Sequence, residues 1–355
     1  MVGSSLVIDV REACRANRTG KGQWTYGFVC ELLRRKIAVQ LLSDCEVLPE
    51  WTKAGAEEVI ISGKGFRWHW NVLQWLRRHP GVTYMSPTSY IVPAFAPRTV
   101  RCIPVIHDLI AFRNEPHDRK ATLIERWTLP RVLRKCSRLC TVSESTKHDL
   151  LARYPSLEPS RVLPIFAGPL HPHPQKPHPD AKTILCVATL CPRKNQLRLI
   201  RAFASLPDDL RRSHQLILAG GRGWHDDEIV RIARETPGVE WRGYITGAQY
   251  ESLLSTCAVF ALPSLYEGFG MQILDALQRG IPVLTSDRGS LKELAEGAAM
   301  IADPECVECI SRALDDLLRD TSLRSTLAEK GRQRAALYSW RRTVDLFLSS
   351  IPALR

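Results

Sequence analysis

Short apolar runs alternate with longer amphipathic stretches along the whole chain. In the first half the runs at 6–10, 39–43, 58–61, 82–85, 102–106, 139–142 and 162–165 predict strands. In the second half the runs at 183–187, 215–219, 239–242, 259–262, 282–285 and 299–301 do the same. Helical periodicity lies between many of them, as at 24–35, 119–135, 196–204, 228–235 and 308–319. Strands that are apolar on both faces and alternate with helices predict parallel sheets covered on both sides. Two successive α/β units of comparable size fit 355 residues.

The divide falls at His171-Pro-His-Pro-Gln-Lys-Pro-His-Pro179. Proline lacks the amide hydrogen and restricts its predecessor, so this tract reads as an extended linker. Its alternating histidines bring no other kind of ligand with them, which argues against a metal site. The expected organisation is a first unit over 1–168, a linker over 169–180 and a second unit over 181–337. No internal repeat is visible.

The most informative segment runs from Leu262 through Pro-Ser-Leu-Tyr-Glu-Gly-Phe-Gly-Met-Gln-Ile-Leu to Asp275. A strand enters a loop, and Gly268 and Gly270 open a helix that continues to about Gln278. The first amides of a helix have no carbonyl to receive them and its dipole favours an anion. Glycines let a phosphate approach the backbone. Glu267 stands before the helix and Asp275 about two turns on, a spacing that lets both carboxylates face one crevice.

Glu-Gly-Phe-Gly-x4-Asp resembles the Glu-x7-Glu motif of retaining nucleotide-sugar glycosyltransferases of the GT-B fold, in the large glycosyltransferase family 4. The resemblance extends over almost the whole chain. Thr189-Leu-Cys-Pro-Arg-Lys-Asn195 resembles the family's phosphate-binding loop, and Gly220-Gly-Arg-Gly-Trp224 a turn common in its bacterial sugar transferases. Val105-Ile-His-Asp-Leu109 and Thr141-Val-Ser-Glu-Ser145 resemble first-domain signatures. Tyr338 and the residues after it resemble the terminal helix that crosses back to the first domain, here about 338–355. Phe166-Ala-Gly-Pro169 departs from the Asn-Gly-Val-Asp often found at the end of that domain.

The fold this resemblance implies is α/β of GT-B type: two Rossmann-like parallel-sheet domains facing across a cleft, the second binding the nucleotide sugar. Lys194 and Arg193 would neutralise the donor diphosphate together with the amides of Gly268, Phe269 and Gly270, with Met271 and Tyr244 also on the donor side. Glu267 would contact the transferred sugar, and Asp275, in place of the usual glutamate, the ribose hydroxyls. Glu267, His107 and Lys194 are the expected catalytic residues. Gly20, Lys21 and Gly22, read as a loop before a helix at Trp24, would lie with Asp108 near the diphosphate and acceptor. That loop is not a Gly-x-Gly-x-x-Gly, so a nicotinamide site gains no support. The chain has no Asp-x-Asp; Asp208-Asp209, Asp226-Asp227 and Asp315-Asp316 read as helix caps or solvated faces. No metal and no cofactor are expected. The implied reaction is retaining hexosyl transfer from a donor of GDP-mannose or UDP-glucose type to a saccharide or lipid-linked acceptor in cell-surface polysaccharide assembly. A nucleotide-sugar epimerase or a phosphorylase on the same fold is the alternative.

Charge sharpens this assignment. Of a formal +12, residues 1–165 carry 25 Lys+Arg against 15 Asp+Glu, whereas residues 166–355 carry 24 against 22. The basic half is then the acceptor half. Trp68, Trp70, Trp75 and Leu76 beside Arg67 and Arg77 are either a core helix with solvated arginines or an interfacial face for an anionic membrane surface. Charge alone also suits a nucleic-acid binder, but no helix-turn-helix, zinc-finger or RNP pattern appears, so nucleic acid is not an expected partner. Eleven irregularly spaced cysteines read as reduced, mostly buried thiols, and the lone Cys306-x-x-Cys309 does not make a zinc site. The opening residues do not read as a signal peptide, and no run of about 18 apolar residues appears. A cytoplasmic enzyme, peripheral at the inner face of the membrane, is the expected setting.

Overall fold

The computed structural model describes residues 5–113, 118–171, 177–178 and 181–351. The chain divides into two compact units, Met1–Leu170 with Ser339–Arg355, and His171–Tyr338. Much of the expected linker, 172–176 and 179–180, lies outside the described residues.

Unit 1 is built from β1 (Leu6–Asp9), α1 (Gly20–Arg34), β2 (Val39–Ser43), α2 (Pro49–Lys53), β3 (Glu57–Ile60), α3 (Phe66–Arg78), β4 (Thr83–Ser86), α4 (Ile91–Phe95), β5 (Arg101–Ile106), α5 (Arg119–Lys135), β6 (Leu139–Thr141), α6 (Glu144–Arg153) and β7 (Val162–Pro164). All strands pair in parallel, in the order β3-β2-β1-β4-β5-β6-β7. One apolar cluster joins this sheet to α3, α4 and α5 through Val7, Tyr84, Ile106, Trp68, Val72, Leu76, Val92, Leu129 and Val132.

Unit 2 follows with β8 (Thr183–Val187), α7 (Gln196–Ala204), α8 (Asp208–Ser213), β9 (Gln215–Ala219), α9 (Asp227–Glu235), β10 (Val239–Trp241), α10 (Gly247–Ser255), β11 (Cys257–Leu262), α11 (Met271–Arg279), β12 (Val283–Thr285), α12 (Ser290–Ala295), β13 (Met300–Ile301), α13 (Val307–Arg319) and α14 (Thr321–Ala335). Its sheet is also parallel, in the order β10-β9-β8-β11-β12-β13. The last helix, α15 (Trp340–Ser349), belongs to unit 1 and packs on α1. The Phe28 and Phe347 rings meet edge to face at 5.1 Å. Trp340 fills a slot left by two glycines: a Cβ on Gly27 would stand 2.2 Å from its ring, and one on Gly168 2.5 Å from its backbone nitrogen. Its Nε1 donates to Pro169 O at 2.8 Å, and Trp24 Nε1 donates to Phe166 O at 2.7 Å. The segment 166–169 is thereby fastened to unit 1.

Two expectations change, and one alternative is settled. Gly20, Lys21 and Gly22 are not a loop but the first turn of α1, capped by Thr19, whose side chain accepts from Gly22 N. The pair Cys306 and Cys309 is not reduced but joined in a disulfide. Placed at the N-cap and third residue of α13, they are brought together by the helical turn, with Cα atoms 5.2 Å apart. On α3, Trp68 and Leu76 are fully buried and Trp75 packs against the core, so only Trp70 of the four proposed apolar residues is exposed. An α3 spacing that places three of them toward the sheet makes it a core helix.

Candidate functional site

In unit 2 the chain leaves β8 towards β9 and β10, but leaves β11 in the opposite direction towards β12 and β13. Loops after β8 and β11 therefore part at the carboxyl ends of neighbouring strands, where open α/β sheets leave a crevice. The two loops are strapped together. Leu265 N donates to Arg193 O at 2.8 Å, and Arg193 Nη1 donates to Tyr266 O at 2.6 Å. Asn195 Nδ2 reaches Pro263 O at 2.9 Å and Pro304 O at 2.6 Å. Asn195 has φ +62°, a conformation asparagine tolerates better than most residues.

This strapping brings the Pro-Arg-Lys-Asn and glutamate motifs onto one point. Glu267 is 6% exposed. Lys194 Nζ donates to its Oε1, Ser264 Oγ donates to the same oxygen at 2.8 Å, and Arg193 Nη1 donates to Oε2 at 3.1 Å. Burial pushes the carboxyl up, but Lys194 and Arg193 outweigh it and hold Glu267 below the usual carboxylate range. Two cations on one carboxylate leave a net positive charge on largely buried side chains, which suits an anion.

The main chain of Glu267 is equally fixed. Ser290 N donates to Glu267 O at 3.1 Å, and Ser290 Oγ lies 3.0 Å from the same oxygen and 2.9 Å from Phe269 O. Ser290 can approach because the preceding Gly289, at φ +57°, has no Cβ; one there would stand 2.5 Å from Glu267 O. Ser264 is held in turn by Ser286 Oγ, which donates to its carbonyl at 2.6 Å.

Beyond Glu267, Gly268 continues the loop and Gly270, at φ +101°, caps α11. Phe269 and Met271 are buried, Phe269 meeting the Tyr338 ring at 5.7 Å. The first turn of α11 thus begins four residues after Glu267. Asp275 sits differently. It is fully buried, Oδ2 accepts from Tyr250 Oη at 3.1 Å, and Oδ1 accepts from Gln278 Nε2 at 3.2 Å and His171 N at 3.4 Å. Both its oxygens face protein donors. Tyr244 is exposed on the loop after β10.

The remaining residues lie in unit 1. His107, at the end of β5, is buried, and its Nε2 lies 2.7 Å from Pro87 O. A carbonyl can only accept, so Nε2 carries the proton. Burial first, and the Lys21 ammonium second, push the imidazole down to about 3, which leaves it neutral at physiological pH. Asp108 Oδ1 accepts from Ile110 N at 3.1 Å and so closes a local turn. Lys21 pairs with Glu125 at 3.4 Å. Among the described residues no group of three or more His, Cys, Asp or Glu side chains is arranged to hold a metal ion.

Sequence reasoning missed the residues that position Glu267: Ser264, Ser290 and Gly289. Ser264 stands within the informative segment from Leu262 to Asp275, but its role, like that of Ser290 and Gly289, becomes meaningful only once β11 and β12 are known to be neighbours.

A family model described as "Glycosyl transferases group 1" matches residues 171–334. The O-antigen chain mannosyltransferase B of Escherichia coli is 28% identical over 280 residues, covering 75% of this chain and 72% of that protein. The serotype-specific mannosyltransferase WbdA of Escherichia coli is 30% identical over 178 residues, covering 48% of this chain but only 22% of its own length. Among solved structures, Anabaena Alr3699/HepE in complex with UDP-glucose superposes with a TM-score of 0.77 at 16% identity, over 98% of this chain and all of that one. WaaG, a glycosyltransferase involved in lipopolysaccharide biosynthesis, gives 0.72 at 16% identity, over 98% of each chain. The fold is GT-B, and residues 171–334 of the chain are a glycosyltransferase group 1 domain.

Proposed function

We propose that this glycosyltransferase is a retaining, metal-independent hexosyltransferase of family 4. Its donor is a nucleotide-diphosphate sugar of GDP-mannose or UDP-glucose type, and its acceptor a saccharide or lipid-linked saccharide of cell-surface polysaccharide assembly. The observation that carries the reading is the buried Lys194–Glu267–Arg193 cluster beside the first turn of α11. The likeness to Escherichia coli O-antigen mannosyltransferases supports the substrate class.

In this reading Lys194, Arg193 and the α11 amides hold the diphosphate, and Glu267 holds a hydroxyl of the transferred sugar. The acceptor oxygen forms a bond to the anomeric carbon as the bond to the diphosphate oxygen breaks on the same face. The acceptor proton passes to that departing oxygen, so no separate base is required. Charge grows on the leaving group, and fixed cations and amides act where it grows. Neutral His107 donates to Pro87 O through Nε2 and keeps Nδ1 as an acceptor, a suitable partner for a sugar or acceptor hydroxyl. The site acts in the cytoplasm, at the inner face of the membrane.

The test is turnover with GDP-mannose and with UDP-glucose in the presence of a chelator. Nucleoside diphosphate should appear only when a saccharide acceptor is added, and proton NMR should show the donor's anomeric configuration in the product. Diphosphate release without acceptor, or an inverted product, would refute the reading.

A further inference from the structure

We propose that unit 1 docks on an anionic lipid bilayer through α4 and α5 rather than α3. This deepens, and rests on, the reading of an enzyme working at the membrane. Three large apolar side chains stand in solvent on this face: Leu123 is 69% exposed, Trp127 53% and Phe95 38%. Leu123 and Trp127 are one turn apart on α5, and the Phe95 ring lies 5.2 Å from that of Trp127. The Arg131 guanidinium covers the Trp127 ring at 4.1 Å. Aromatic side chains beside cations are what a membrane interface selects.

Next to this patch lies a hollow of about 850 Å³ whose lining includes Arg98, Arg101, Arg134, Lys135, Thr99 and Ser137, and no carboxylate. Arg134 and Lys135 in the last turn of α5 also suit its dipole, but Arg98 precedes β5 and Arg101 opens it, and neither has such a role. The sequence contains no Asp or Glu between Glu58 and Asp108, nor between Glu125 and Glu144. Among the described residues none of Arg98, Arg101, Arg131 and Arg134 forms an ion pair. Cations that no carboxylate neutralises, lining a hollow beside exposed rings, fit lipid phosphates with acyl chains alongside. A second copy of the face would bring like charge onto like charge.

The test is sedimentation of the intact protein with vesicles of phosphatidylcholine alone and of phosphatidylcholine mixed with phosphatidylglycerol, without any nucleotide sugar. Binding should require the anionic lipid. At about fivefold per cation, Arg98→Gln/Arg101→Gln/Arg134→Gln should weaken it about a hundredfold. Leu123→Ser/Trp127→Ser should weaken it about tenfold or more. Both variants should melt as the wild type does and keep their turnover on a soluble acceptor, which separates this result from a failure of the transferase reading. Equal binding to both vesicles, or undiminished binding by both variants, would overturn the proposal. So would a dimer that Leu123→Ser/Trp127→Ser dissociates, or retention of duplex DNA by a protein that ignores vesicles.

Discussion

Lys194→Ala tests the site most directly, because one side chain serves both the fold and the proposed chemistry. The Lys194 and Glu267 side chains are 11% and 7% exposed, so water does little to compensate a lost partner. Breaking a buried pair from one side costs about 3–5 kcal/mol when the remaining charge is abandoned. Glu267 is not wholly abandoned: Arg193 and Ser264 still donate to it. The expected loss of stability is therefore about 2–3 kcal/mol. Adding Glu267→Gln removes the under-compensated charge and should return about 1–2 kcal/mol through coupling of the two sites. Turnover should behave oppositely. A fixed cation facing a leaving group is worth about a hundred- to thousandfold, and the second substitution should not restore it. Urea unfolding and diphosphate release, measured on the same preparations, separate the two effects. The reasoning is refuted if Lys194→Ala turns over within about tenfold of wild type, or if the double variant is no more stable than the single.

Glu267 is held below its usual range, so its stabilisation is complete above the unfolded carboxyl value of about 4.3 and is lost as pH falls through the lower folded value; urea midpoints should decline there, less steeply in Glu267→Gln. Gly289→Ala forces a Cβ towards Glu267 O at φ +57°, so turnover should fall severely, with about 1–3 kcal/mol lost in urea unfolding. Gly27→Ala drives a Cβ into the Trp340 ring, so limited proteolysis should cut near α15 far sooner than in wild type. Asp275→Glu adds a methylene to a fully buried site and should cost about 1–3 kcal/mol without tightening donor binding in calorimetry.

The strands were legible because a parallel strand covered on both faces must be apolar throughout. Every run marked in the sequence overlaps a strand, and 39–43, 183–187 and 215–219 match end to end. Helix starts were less so. Glycine is a poor helix former, which hid the first turn of α1, although Thr19 three residues before Gly22 is a capping signal. The motifs located Lys194 and Glu267 separately, but their ion pair spans 73 positions and depends on β8 lying beside β11. Asp275 shows the limit of spacing arguments. Helical spacing set its distance from Glu267, while the direction of its carboxylate was decided by Tyr250, a residue of another helix.

The two halves of the chain differ less in how many cations they carry than in what those cations face. On the surface of unit 2, Arg222 meets Asp226, Arg231 meets Glu235, Arg242 meets Glu240, Arg319 meets Asp315 and Arg332 meets Glu329. Such exposed pairs add little to stability, from nothing to about 1 kcal/mol each. Their main consequence is electrical: each cancels its own field within a few ångströms. Inside unit 2, Lys194 and Arg193 share the single Glu267 carboxylate, which leaves a buried positive charge that only a ligand that enters can feel. Around the hollow of unit 1, Arg98, Arg101, Arg131 and Arg134 have no carboxylates beside them among the described residues, so their fields add, and reach about a Debye length, about 10 Å at 0.1 M salt, into solvent. An enclosed charge selects by fit, and a summed surface charge selects by the sign of an extended partner. The same excess of arginine and lysine therefore serves two kinds of recognition, and its pairing, not its number, separates them.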